Sequence, residues 1–199
     1  LKIGNSDFAI NGLFKGVANY FSKRGNLVAD VDIKSERIVL EDLGSDSKED
    51  KMQSTRSYIL PNDIEGQAYL DVKRLQYDTH DFFDLQGNMK IKDRRIHFPK
   101  VKVSNGGADA SGWVIISENR PEIFAISSRV VSNNIVFNQL FQEWDNFEQD
   151  VIKSKNIEGT ARVSLEFQAP FDLRSGIISK AIDATIGIQI DKGRLKNVQ

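Results

Sequence analysis

The sequence predicts a mainly β protein: an elongated, curved antiparallel sheet built from repeated hairpins, open as a groove, with one amphipathic helix packed on it. Three observations carry this. Apolar and polar residues alternate through most of the chain, Gly, Asn, Asp or Pro bound the alternating runs, and a single segment has helical spacing.

The first run, FAINGLFKGVANYF, places Phe8, Ile10, Phe14 and Tyr20 on alternate positions with Gly12 and Gly16 on the same face, which predicts one long strand bulged at a glycine. NLVADVDIKSERIVLEDL follows with Leu27, Ala29, Val31 and Ile33 in alternation, then a turn and a return through Ile38 and Leu40. Residues 44–57, GSDSKEDKMQSTRS, are almost wholly polar or charged and are expected to form a mobile loop. Strands resume in IEGQAYLDVKRLQYD, DFFDLQGNMKIKD, RRIHFPKVKVS, GADASGWVIIS and PEIFAISSRVV.

A helix is predicted over residues 134–153. Val136, Leu140, Trp144, Phe147 and Val151 recur at spacings of four, four, three and four, with Asn133 or Asn134 placed to cap the start. Alternation then returns in IEGTARVSLEFQAP and AIDATIGIQI, and the whole chain, residues 1–199, is expected to be one domain.

VDIKSERIVL, MKIKDRRIHF and IQIDKGRLKN share one pattern, Ile followed four residues later by Arg and then Ile or Leu. Two-residue turns at Ser35-Glu36, Asp93-Arg94 and Lys192-Gly193 would set Ile33 opposite Ile38, Ile91 opposite Ile96 and Ile190 opposite Leu195. Val31 would then face Leu40, and Met89 would face Phe98. A shorter echo is Ile-Glu-Gly at residues 64–66 and 157–159, each opening a strand.

With 27 Lys+Arg against 28 Asp+Glu, the net charge of -1 gives no electrostatic footprint for nucleic acid or an anionic membrane surface. The absence of cysteine excludes disulfides, thiolate metal sites and a thiol nucleophile. No apolar run reaches the ~20 residues that span a bilayer. The chain starts LKIGNSDFAI, without an initiator Met, and is expected to be a fragment of a longer chain.

From FNQLFQEW to the end, the sequence resembles the C-terminal region of the bacterial AsmA-like proteins. In that family a short amphipathic helix precedes a strand that Ile157-Glu158-Gly159-Thr160-Ala161 matches. A closing segment is matched by Ile186, Ile188, Ile190, Gly193, Leu195 and Asn197. DFFDLQGNMKIKDRRIHFPKVKVSNGGADASGWVII is similar to upstream strands of the same family, although Gly106-Gly107-Ala108-Asp109-Ala110 is more acidic than the family pattern. The resemblance implies an envelope protein with a periplasmic body, anchored in the inner membrane by a segment outside this fragment. It further implies an apolar groove that carries or shields phospholipid acyl chains in transport to, or homeostasis of, the outer membrane. Its partners would be lipid acyl chains and adjoining segments of the same chain; neither a cofactor nor nucleic acid is expected.

On this basis the groove candidates are Val31, Ile33, Ile38, Leu40, Met89, Ile91, Ile96, Phe98, Ile188, Ile190 and Leu195, and the stripe Val136, Leu140, Trp144, Phe147 and Val151 would cap the groove. The rival reading is a closed β-sandwich acting in adhesion or carbohydrate binding through Tyr20, Tyr69, Tyr77 and Trp113, which are otherwise expected to be core residues. Catalysis finds little support. Only His80 and His97 are present, no nucleophile, zinc or phosphate-loop motif occurs, and Asp78, His80 and Asp81 read as a solvated turn rather than a metal site. Asp30 and Asp32 read as the solvent side of a strand.

Overall fold

A computed structural model describes residues 1–40, 42, 60, 62–120, 123–148, 150–172 and 176–196; the predicted loop over 44–57 lies outside them. The fold is mainly β, an open sheet that does not close into a barrel. In chain order the strands are β1 (Lys2–Ile3), β2 (Ser6–Asp7), β3 (Ala9–Lys15), β4 (Leu27–Ser35), β5 (Ile38–Val39), β6 (Ile64–Tyr77), β7 (His80–Lys92), β8 (Arg95–Asn105), β9 (Ala108–Arg120), β10 (Ile123–Val136), β11 (Ile157–Asp172), β12 (Gly176–Ile177) and β13 (Asp183–Leu195). Among the described elements are two short helices, α1 (Val17–Phe21) and α2 (Phe137–Glu143), and 3-10 turns at Asp145–Glu148, Ser154–Asn156 and Ser179–Ala181.

β6 to β11 form an antiparallel meander, each strand pairing with the next; the connections from β6 to β10 are short, whereas β10 reaches β11 through a helix and two 3-10 turns. β13 returns along β11, and β12 pairs with the far end of the same strand. On the other side the order runs β7-β6-β4-β3. A second layer of sheet is absent among the described residues: β1 and β2 make only a two-stranded ribbon. The closed sandwich is therefore not the architecture.

The hairpin predicted at Ser35-Glu36 does not form. β4 and β5 both pair in parallel with β6 in one register, Ile33 with Leu70 and Ile38 with Leu75, so β5 continues the line of β4. The break between them is held from the ribbon: Asp7 accepts hydrogen bonds from the backbone N–H groups of Glu36 at 3.2 Å and Arg37 at 2.8 Å, and from the Ser35 hydroxyl at 3.3 Å. Those bonds hold the Asp7 carboxyl below its ordinary value, the Arg37 amide contributing most.

At Asp93-Arg94 the predicted turn forms and Ile91 pairs with Ile96; the ladder then shifts between Asn88 and Lys90, beside Met89. Lys192-Gly193 is no turn, because β13 runs straight through it, pairing Ile190 with Ala161 and Leu195 with Ile157 across a bulge. Gly193 sits opposite Gly159, whose φ of 125° and close approach to the Lys192 carbonyl exclude a side chain. Both Ile-Glu-Gly triplets open strands, β6 and β11, as expected.

Two further expectations are corrected. The first strand stops at Lys15, where Gly16 takes a φ of 77° and α1 begins, so Tyr20 lies on a helix; Gly12 pairs with Val31 with no bulge. The predicted helix over 134–153 shrinks to α2. Asn133 and Asn134 belong to β10 and no side chain caps the start. Asp145, Asn146 and Phe147 then adopt φ of 43°, 53° and 55°, which breaks the helical period before Phe147 and Val151 can join the stripe.

Candidate functional site

Residues directly opposite in a ladder share a face, so the registers can be summed across the sheet. One row reads Ile10, Ile33, Leu70, Gly87, Val101, Gly112, Val130, Leu165 and Ile186, crossing nine strands without a polar side chain. A parallel row on the same face reads Phe14, Ala29, Gly66, Ile91, Ile96, Ile116, Ile126 and Ala169. Between them lie Val31, Ala68, Met89, Phe98, Val114 and Phe167, with Ser128 as a polar exception.

Among the described residues no second layer seals this face, although the small side chains of Ala68 and Ala169 within it are buried between their neighbours. Among the described residues only Ile38, Ala68, Val72, Phe124, Ile135, Ala161 and Ala169 are buried apolar residues, far fewer than a closed core needs in a chain of this length. Exposure rises toward both edges, to 48% at Ile10 and 51% at Phe14 on β3 and to 62% at Ile188 on β13. The result is an open apolar surface larger than the scattered apolar contacts of an ordinary monomer.

The opposite face carries the charge. Lys92 pairs with Glu65 at 3.2 Å, Arg129 with Glu166 at 3.3 Å and Arg162 with Asp191 at 3.6 Å, while Gln67 donates to Asp30 at 3.0 Å. Asp30 and Asp32 are exposed on this side, as expected. Tyr69, Tyr77 and Trp113 are exposed rather than core residues, and Tyr69 and Trp113 sit opposite Asn88 and Arg129 on separate strands. A shallow depression of about 440 Å³ opens where Leu13, Lys15, Val28, Glu65, Gln67 and Lys90 meet at the edge of this face.

One end of the sheet is locked by polar contacts. Trp144, just beyond α2, stacks on His80 with ring centroids 4.1 Å apart and donates its indole N–H to Asn105 Oδ1 at 2.8 Å. Asn105, which is buried, donates in turn to the Asp81 carbonyl at 2.6 Å. Arg74 clasps the Asp81 carboxylate through Nε and Nη2 at 2.8 and 2.5 Å, which lowers the Asp81 pKa and raises that of Arg74. His80 and Asp81 thus have structural partners, and no group of three or more His, Asp or Glu able to hold a metal occurs among the described residues. His97 lies away from them, opposite Lys90 and Ile115.

Of the groove candidates, the registers bring Val31, Ile33, Met89, Ile91, Ile96, Phe98, Ile188 and Ile190 to the apolar face, and Leu195 joins it at the β13 edge opposite Ile157. Ile38 does not join them: it pairs with Leu75, an odd step along β6 from Leu70, and is buried on the other side. Leu40 lies beyond β5 and is 40% exposed. In the capping stripe, Val136 is a strand residue opposite Thr160, Leu140 and Trp144 are half-buried, and Phe147 and Val151 are exposed. Hairpin matching missed the centre of the face, Leu70, Val101, Val130 and Leu165. Their alternation is plain in the sequence, but the register that aligns them is a property of the assembled sheet.

Compared with known proteins, the chain matches no family model, no curated protein and no solved structure.

Proposed function

We propose that this protein is a non-enzymatic lipid-handling module of a bacterial cell envelope, in which the open apolar face binds or shields acyl chains. The single observation that carries the proposal is the row from Ile10 to Ile186, apolar across nine strands and covered by no second layer among the described residues. Such a row is roughly 40 Å wide at the usual strand spacing, ample for an acyl chain. Each methylene removed from water contributes up to ~0.8 kcal/mol, without directional bonds, so the face selects for chain and not for headgroup. The likeness to AsmA-like sequences supports a periplasmic setting, phospholipid as cargo and a membrane anchor outside this segment.

Native mass spectrometry of the purified protein with phospholipid vesicles tests this. Lipid bound at a defined stoichiometry, and lost in Ile33→Asp and Ile91→Asp but kept in the polar-face variant Asn88→Asp, supports the proposal. A clean apo mass after incubation, or loss shared by all three variants, refutes it. Glycan binding through Tyr69 and Trp113 would be the reading to pursue in that case.

A further inference from the structure

The two margins of the sheet differ. β13 pairs with β11 on its inner side, and among the described residues nothing pairs with its outer side. All thirteen of its residues are exposed, Ile186, Ile188 and Ile190 at 60%, 62% and 59%. From Ala184 to Ile190 the strand has no Pro, no charged residue and no bulge, so it lacks the devices by which natural edge strands avoid pairing. β3, the other margin, has only seven residues and ends in Lys15.

We propose that β13 pairs antiparallel with β13 of a second copy of this chain, about a two-fold axis perpendicular to the sheet and passing midway between Ile188 and the partner's Ile188. That axis keeps both apolar faces on the same side, so the two sheets become one continuous surface. Centring on Ile188 places it against the partner's Ile188, and Ile186 against the partner's Ile190. The ends of β13 carry opposite charge, Asp183 at one and Lys192 and Arg194, beside Asp191, at the other; allowing for the bulge between Ile190 and Lys192, this register brings Asp183 opposite the partner's Arg194. The neighbouring register, centred on Gly187, instead sets Ile190 against the partner's Ala184 and so leaves one isoleucine of each strand unmatched. Self-complementary charge and matched isoleucines single out a second copy as the occupant. The pairing does not depend on the lipid reading.

Because the chain has no cysteine, Ile188→Cys introduces a single thiol at the axis. Opposite Cβ atoms in a ladder lie about 4.5–5.5 Å apart, close enough for a disulfide after small adjustment. In lipid-free buffer, mild oxidation should convert Ile188→Cys to a covalent dimer and leave Ile10→Cys, on the β3 margin, monomeric. Light scattering of the unmodified chain should plateau at a dimer, with dissociation at least ~10-fold easier in Ile188→Lys and unchanged within ~3-fold in Ile188→Val. A monomer at every concentration, equal cross-linking of the two cysteine variants, or growth past the dimer into polymers would overturn the proposal.

Discussion

The two faces of the central sheet are built from the same strands, yet they obey different physics. On one, rows of isoleucine, leucine, valine and glycine run from β3 to β13 with no ion pair among them; on the other, Glu65, Lys92, Arg129 and Glu166 form exposed pairs. Because strand alternation sends successive residues to opposite sides, the near-neutral total of the chain conceals this segregation completely. Lysine and arginine also adjoin within the polar face, where Lys92 stands opposite Arg95. The strands thus separate an apolar face with no second layer over it among the described residues from a polar face whose charges pair in solvent.

The largest effect should come from placing a charge at the centre of the apolar face. Leu70→Asp should weaken acyl-chain binding at least ~100-fold in a vesicle-uptake assay and lower stability by about 2–4 kcal/mol in urea unfolding, since the carboxylate is flanked by Ile33 and Gly87. An unchanged uptake would show that the face is not the surface that binds.

Next comes the locked end. Asn105→Ala removes the acceptor of the Trp144 indole and the donor to the Asp81 carbonyl. It should cost about 1–3 kcal/mol in the same unfolding experiment and leave lipid uptake within ~2-fold. A matching loss of uptake would mean that this end belongs to the binding surface.

Acid should reveal the carboxylates that hold the fold. Asp7 and Asp81 both have folded-state pKa values lowered from 3.8, by backbone N–H groups and by Arg74 respectively. Their stabilisation is complete above that ordinary value and is lost as pH falls below it and through the lowered folded values. Thermal melts between pH 5 and pH 2 should show a smaller acid-induced fall in Asp7→Asn than in the unmodified chain; identical falls would contradict the assignment. The smallest effect belongs to the polar face: Lys92→Gln breaks an exposed pair with Glu65 and should change stability by less than ~0.5 kcal/mol.

The middle of this fold was legible in the sequence and its margins were not, for a physical reason. β6 to β10 are joined by short turns, so periodicity and turn residues, both local, were enough to delimit them, and Ile91 meets Ile96 as expected. Ser35-Glu36 also looks like a turn, but Asp7, distant in sequence, captures its amides and leaves β5 to follow β6 in parallel. Lys192-Gly193 reads as a hairpin until Gly159 is seen across the ladder, where glycine serves close backbone approach instead. The spacing from Val136 to Val151 fits a helix, while left-handed backbone at three consecutive residues ends it early. For the candidate site, alternation within each strand was visible; the nine-strand row required the registers.

Face-resolved photo-cross-linking would show which side of the sheet an acyl chain occupies. A phospholipid carrying a diazirine in its acyl chain is irradiated on the protein and the adducts are mapped by mass spectrometry. Adducts are expected at Leu70, Val101, Val130 and Leu165, with few at Tyr69, Lys100, Arg129 and Glu166, which occupy the other side of the same strands. Adducts spread equally over both faces, or confined to the polar one, would contradict binding at the apolar face.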